Sequence, residues 1–200
     1  LAREIQLIEV ALAKHALLFG FGQRQAVLQQ LHLGDNAGAP EALGTIEHLT
    51  GQIKLADKAL CEFAKNDPVC RRLMTIPGVG PVTAVRFVAA LDKVERFKTA
   101  HAVASYLGLT PGENSSSERK QMTGITKAGS SEVRRTLVQG AWTILRRFQN
   151  SPMGQWARRI AERRGRFIAV VALARKLSGI MFALWRDGAV YQEVRSAHPL

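Results

Sequence analysis

Two hundred residues with 46% hydrophobic and 22% charged side chains suffice for one compact domain, or a small domain with a helical extension, and exclude a disordered chain. Two cysteines, Cys61 and Cys70, are too few and too oddly spaced for a disulfide framework or a zinc site and fit a reducing cytoplasm. The net charge of +12 points instead to a polyanionic partner.

No membrane span is expected, because the richest apolar segment, FIAVVALARKLSGIMFALW, is interrupted by Arg175 and Lys176. No signal peptide is visible at Leu1-Ala2-Arg3-Glu4, which reads as mid-helix and suggests a fragment of a longer chain. Leu1, Ile5, Ile8, Leu12, His15 and Phe19 then form a coiled-coil-like seam, bent at GFG (20–22). GDNAGAP (34–40) reads as a linker. A second seam follows through Ile46, Leu49, Ile53, Ala56, Leu60 and Phe63. These stripes can close on each other as a hairpin or pair with a second subunit; the spacing does not choose.

Asp67 and Pro68 read as the N-cap and first residue of a short helix, VCRRLMTI. PGVGP (77–81) is a turn, and VTAVRFVAALDKV the next helix. TAHAVASYL (99–107) is another short helix, capped by Thr99 and stopped by Gly108. Residues 110–125 are polar and turn-rich, either a loop or a small β-hairpin. Helices are expected over 130–148, 152–164 and 166–186, jointed at Asn150-Ser151-Pro152 and at Gly165. The fold class is therefore all-α with at most one β-hairpin. Its organisation is a helical linker or coiled-coil region (1–65), a helical domain with a helix-hairpin-helix (66–190) and a tail (191–200).

Charge is sharply segregated. Residues 1–118 balance to zero, whereas 119–187 hold 15 Lys and Arg against only Glu132, Glu162 and Asp187. Most of that excess is arginine, which meets phosphate bidentately. Arg134-Arg135, Arg146-Arg147 and Arg158-Arg159 recur every twelve residues, followed by Arg163-Arg164 and Arg166. Adjacent helical residues diverge by about 100°, so at least one of each pair faces outward. Trp142, Trp156 and Trp185 lie among them, as core side chains or as stacking platforms for bases. In PGVGP, Gly78, Val79 and Gly80 are candidate backbone contacts to nucleic-acid phosphate at a helix N-terminus; the plain alternative is a tight αα-turn. Lys120 in the polar segment and Lys127 just after it add charge.

TKAGSSEVRR (126–135) places two serines where one would cap a helix. From spacing alone, a plain cap accounts for the pair. A second hydroxyl at the first helical position would nevertheless face the positive dipole end, with Arg134 and Arg135 within a turn. Lys127, Glu132 and His101 are candidate bases by proximity or type only. No acidic cluster suggests a metal site, the histidines lack ligand spacing, and PGVGP lacks the Lys-Ser/Thr of a nucleotide loop.

Three motifs in order, IPGVGPVTA, FKTAHAVASYLGLTP and SSSERKQMTGITKAGSSEVRRTLVQGAW, carry a family resemblance over about Arg72 to Trp185. The chain resembles the carboxy-terminal transposase domain of the one-hundred-ten family of bacterial insertion sequences, relatives of Piv-type DNA invertases that include bridge-RNA-guided recombinases. The resemblance implies a cytoplasmic bacterial DNA recombinase that uses a guide RNA and works as a dimer or tetramer through its helical linker. It implies Ser131 as the nucleophile that links covalently to DNA phosphate, Ser130 as its cap-like neighbour and Arg134 as the leading oxyanion stabiliser. It also implies an amino-terminal RuvC-like domain whose acidic tetrad holds magnesium; no such pattern precedes residue 66, so no cofactor is expected in this chain itself. SSSER (115–119) departs from the Ser-Gly step expected there. Two other readings stand beside this one: a non-catalytic helix-hairpin-helix module that binds DNA or RNA, and an inactive transposase remnant.

Overall fold

The computed structural model describes residues 39–116 and 119–193, with side chains at 48–112 and 124–193. The chain divides into two compact units, Leu1–Phe63 and Ala64–Leu200. The seam of residues 1–19, the GFG bend and most of the GDNAGAP linker lie outside the described residues, as does the tail beyond 193.

Helix α1 is Ala39–Asn66. Its apolar stripe is unevenly covered: Leu60 is buried, whereas Leu49 and Phe63 are 44% and 43% exposed.

In the second unit the caps follow the local chemistry of the sequence. Helix α2 (Pro68–Leu73) has proline at its first position, where no N–H is needed, and the Asp67 carboxylate accepts from Cys70 N–H at 2.6 Å. Helix α3 (Pro81–Leu91) follows the turn, and a 3-10 turn spans Val94–Arg96. Helix α4 (Ala100–Tyr106) is capped by Thr99, whose hydroxyl accepts from Ala102 N–H at 3.1 Å. The polar segment forms a hairpin, β1 (Pro111–Ser116) and β2 (Arg119–Ile125), antiparallel with an irregularity between Pro111 and Glu113. Helices α5 (Ser131–Arg147), α6 (Pro152–Arg164) and α7 (Arg166–Asp187) complete the unit. Seven α-helices and one two-stranded sheet among the described residues make the fold all-α with a single hairpin.

The core centres on α7, which packs against α2, α4, α5 and α6. Contrary to the expectation from its two internal charges, α7 is long and apolar enough by composition to cross a membrane, with a mean hydropathy of 1.9 over an 18-residue stretch. Here one face of it packs within the helical unit, where Leu173, Ala174, Leu177, Met181 and Phe182 are all but inaccessible, whereas Phe167 and Ile168 at its start are exposed. Burying the leucine, methionine and phenylalanine side chains among the inaccessible residues contributes roughly 1.5–3 kcal/mol each.

The turn before α3 sits directly on α5. Gly78 has φ +79°, and a Cβ there would lie 2.7 Å from the Gly140 carbonyl oxygen and 2.8 Å from Ile144 Cγ1. Reciprocally, a Cβ on Gly140 would lie 2.8 Å from the Gly78 carbonyl oxygen. The two glycines remove side chains from both sides of one backbone contact.

Candidate nucleic-acid interface and serine loop

The two candidate serines separate cleanly in role. Ser130 is the N-cap of α5, in extended conformation, with its hydroxyl accepting from Val133 N–H at 3.4 Å. Ser131 is the first helical residue and is exposed. At that position its hydroxyl stands beside first-turn N–H groups that no helical carbonyl takes up.

The loop that delivers these serines is held against the end of α4. Thr126 N–H donates to Thr110 carbonyl at 2.9 Å and Lys127 N–H to Gly108 carbonyl at 3.1 Å. Lys127 and Gly129 have φ of +57° and +74°, and Gly129 lies so close to Tyr106 that a Cβ would strike its carbonyl oxygen. Arg134 completes the clamp. Its Nη1 donates to the carbonyls of Leu107 (3.1 Å), Ala128 (2.8 Å), Gly129 (2.9 Å) and Ser130 (3.3 Å). This arginine, expected to face a phosphate, instead turns one nitrogen onto the backbone of its own loop.

A second tie comes from α3. Arg86, 4% exposed, places Nη1 3.5 Å from the carboxylate of Glu132, which also lies 3.5 Å from Arg135. Burial pulls the Arg86 guanidinium below its ordinary pKa, Glu132 opposes that shift, and Arg135 adds to it. Arg86 has a single signal in the sequence, one arginine within the apolar run VTAVRFVAAL. Glu132, considered as a base, is thus flanked by two arginines. His101 lies at the start of α4, away from the loop's anchor at its end, with Nδ1 3.1 Å from Arg175 Nη2.

Of the turn candidates, Gly80 is exposed and is the N-cap of α3, which has no side-chain cap. Val79 is buried and its N–H donates to Ile76 carbonyl at 3.1 Å. Gly78 packs on α5, as above. Lys127 is exposed; Lys120 stands opposite Ser115 on the hairpin, its side chain outside the described residues.

The outer arginines distribute along the last three helices. Arg135, Arg146, Arg147, Arg158 and Arg159 are all exposed, as are Arg163, Arg164 and Arg166. In the first pair Arg134 turns inward; in the later ones both members reach solvent. Arg146 and Arg147 end α5, and Arg163 and Arg164 end α6, where a cation also complements the helix dipole. The three tryptophans are half-buried and differ in company. Trp185 packs near Phe87, at 6.5 Å between ring centroids, and Trp156 lies under Lys176 Nζ at 4.3 Å. Trp142 meets Phe167 edge-on at 6.1 Å and carries the Arg146 guanidinium at 4.8 Å from its ring.

Among the described residues no group of three or more His, Cys, Asp or Glu side chains stands together. They offer no ligand set for the magnesium of an acidic-tetrad domain.

Residues 70–157 match the family model described as Transposase IS116/IS110/IS902 family. The chain is 34% identical over 138 residues to the transposase for insertion sequence element IS1111A of Coxiella burnetii, covering 68% of this chain and 38% of that relative. It is 28% identical over 148 residues to the transposase for insertion sequence element IS1328 of Yersinia enterocolitica, with 73% and 44% covered. It is 29% identical over 134 residues to an uncharacterized 43.6 kDa protein of insertion element IS110 from Streptomyces coelicolor, with 67% and 32% covered. The chain thus spans less than half the length of each of these three relatives.

Proposed function

Since this chain belongs, through residues 70–157, to the IS116/IS110/IS902 transposase family, we propose that it supplies the serine-bearing, DNA-contacting part of a transposase. The observation that carries the reading is the division of labour between the two serines, both exposed: Ser130 commits its hydroxyl to the cap, and Ser131 stands at the first position of α5 outside that role. In the proposed step the Ser131 hydroxyl oxygen attacks a backbone phosphorus and loses its proton. The bond from phosphorus to one sugar oxygen breaks, that oxygen leaves as a hydroxyl, and a serine–phosphate ester remains. Negative charge gathers on the phosphoryl oxygens, where first-turn N–H groups and Arg135 can offset it. Arg134 acts indirectly, as a positioning residue that fixes the loop.

The exposed arginines of α5 and α6, with Lys120, Lys127 and the α3 N-terminus at Gly80, are proposed to hold the DNA backbone without reading sequence. The finer features follow from the resemblance and stand with this reading: a guide RNA, a bacterial cytoplasmic setting where the DNA is, and a magnesium-binding partner domain. A homo-oligomer through α1 has further support in the half-exposed Leu49 and Phe63 on its apolar stripe.

The test is to trap a covalent adduct on nicked or junction DNA and map it by mass spectrometry. The adduct is expected at Ser131, lost in Ser131→Ala and retained in Ser130→Ala. An adduct that survives Ser131→Ala but not Ser130→Ala reverses the assignment. DNA binding with no adduct in the wild type leaves a binding module.

A further inference from the structure

The basic region contains a built cleft that the serine chemistry does not use. Between α5, α6 and the start of α7 lies an open cleft of about 810 Å³, within the ~300–1,000 Å³ usual for small-ligand sites. Trp142 and Phe167 supply its aromatic wall, and Arg146, Arg158 and Arg166 its charge, against the single carboxylate of Glu162. We propose that this cleft binds an unpaired nucleotide of a single-stranded segment, its base stacked on Phe167 and its phosphates met by the arginines. The proposal rests on the reading of this chain as a nucleic-acid-binding protein and names one kind of strand it would take.

Three observations carry it. First, Phe167 is 81% exposed, and its ring centroid lies 6.1 Å from that of Trp142 at an interplanar angle of 85°. Water-facing phenylalanine gains nothing by burial here, whereas a base laid on its open face would cover it; every base has a π-face, so such stacking tolerates sequence. Second, Arg146 lies over the Trp142 ring at 4.8 Å, which spreads cation and aromatic together along the wall. Third, Arg146 and Arg158, one member of each of two pairs twelve residues apart, arrive from consecutive helices at the same cleft. A basic track beside an aromatic platform is the arrangement that holds single strands. A paired base keeps its faces within its own stack and cannot enter.

The test measures fluorescence anisotropy of a labelled oligothymidylate, an oligouridylate of the same length and a duplex, each titrated with the whole chain. Phe167→Ala is expected to weaken single-strand binding about five- to a hundredfold, the range of one stacked base. Duplex binding should stay within about twofold, and Phe167→Tyr should recover single-strand binding. Photocrosslinking with 5-iodouracil in the oligomer should label Phe167 or Trp142. A loss confined to the oligothymidylate assigns the cleft to a DNA strand, and one confined to the oligouridylate to RNA; either supports the site. Unchanged single-strand affinity in Phe167→Ala, or equal losses on strand and duplex, overturns the cleft assignment while leaving nucleic-acid binding intact. A wild-type chain that binds neither strand nor duplex overturns the broader reading and this one with it.

Discussion

The turns that lead into α3 and into α5 are held by opposite means. The turn before α3 is fixed by packing: Gly78 and Gly140 meet backbone to backbone, Ile144 closes in, and Val79 is buried. The loop before α5 is fixed by hydrogen bonds: Arg134 gathers four carbonyls, and Thr126 and Lys127 tie to Thr110 and Gly108. A packed turn is insensitive to salt and intolerant of added volume. A polar loop can sit at the surface, keep its carbonyls satisfied and still present an exposed hydroxyl. Ser131, the proposed nucleophile, follows the second.

The largest expected effect comes from adding a methyl group to the packed turn. Gly140→Ala or Gly78→Ala should lower unfolding free energy by roughly 2–4 kcal/mol, from overpacking and, at Gly78, the positive φ. Denaturant melts of the two variants measure it, and a change below about 0.5 kcal/mol would break the packing half of the comparison. Next is Arg134→Met, which should cost about 1–3 kcal/mol through the lost charge-assisted bonds. Arg134→Lys should restore only part, since an ammonium lacks the planar guanidinium fork. Full restoration by lysine in the same melts would mean that charge alone holds the loop. Smaller still is Ser130→Ala, about 1 kcal/mol for one N-cap. Ser131→Ala should shift stability by no more than about 0.5 kcal/mol while abolishing the DNA adduct. Equal destabilisation by the two serine variants would erase the distinction between cap and free hydroxyl.

Much of this was readable along the chain, because it is local chemistry. Asp67 with Pro68, and Thr99, each cap the helix their position announces, whereas spacing alone offers either Ser130 or Ser131 and the structure gives the cap to Ser130. The polar segment 110–125 was open between loop and hairpin, since a turn-rich strand pair carries little apolar alternation; backbone pairing such as Ser116 with Arg119 resolves it. What could not be read is direction. Arg134 follows the helical spacing of an outward arginine, yet four carbonyls brought together by tertiary contact draw it in. Gly140 looks like a mild flaw in a helix until the Gly78 turn arrives against it. Arg86 gave only one odd letter in an apolar run, and its burial beside Glu132 depends on how α3 meets α5. Trp142 was separable from Trp156 and Trp185 only by its neighbours, Arg146 and the exposed Phe167.

Cys70 gives the molecule a chemical clock of its own. Burial, reinforced by the Asp67 hydrogen bond and charge, raises the thiol's pKa far above the ordinary range, so it stays protonated and unreactive while α2 is in place. Cys61, on α1, is only partly covered. An alkylating reagent should therefore mark Cys61 promptly and Cys70 only in molecules that have opened. The ratio of the two labels would then count excursions of the packed turn's neighbourhood under native conditions, without any added probe.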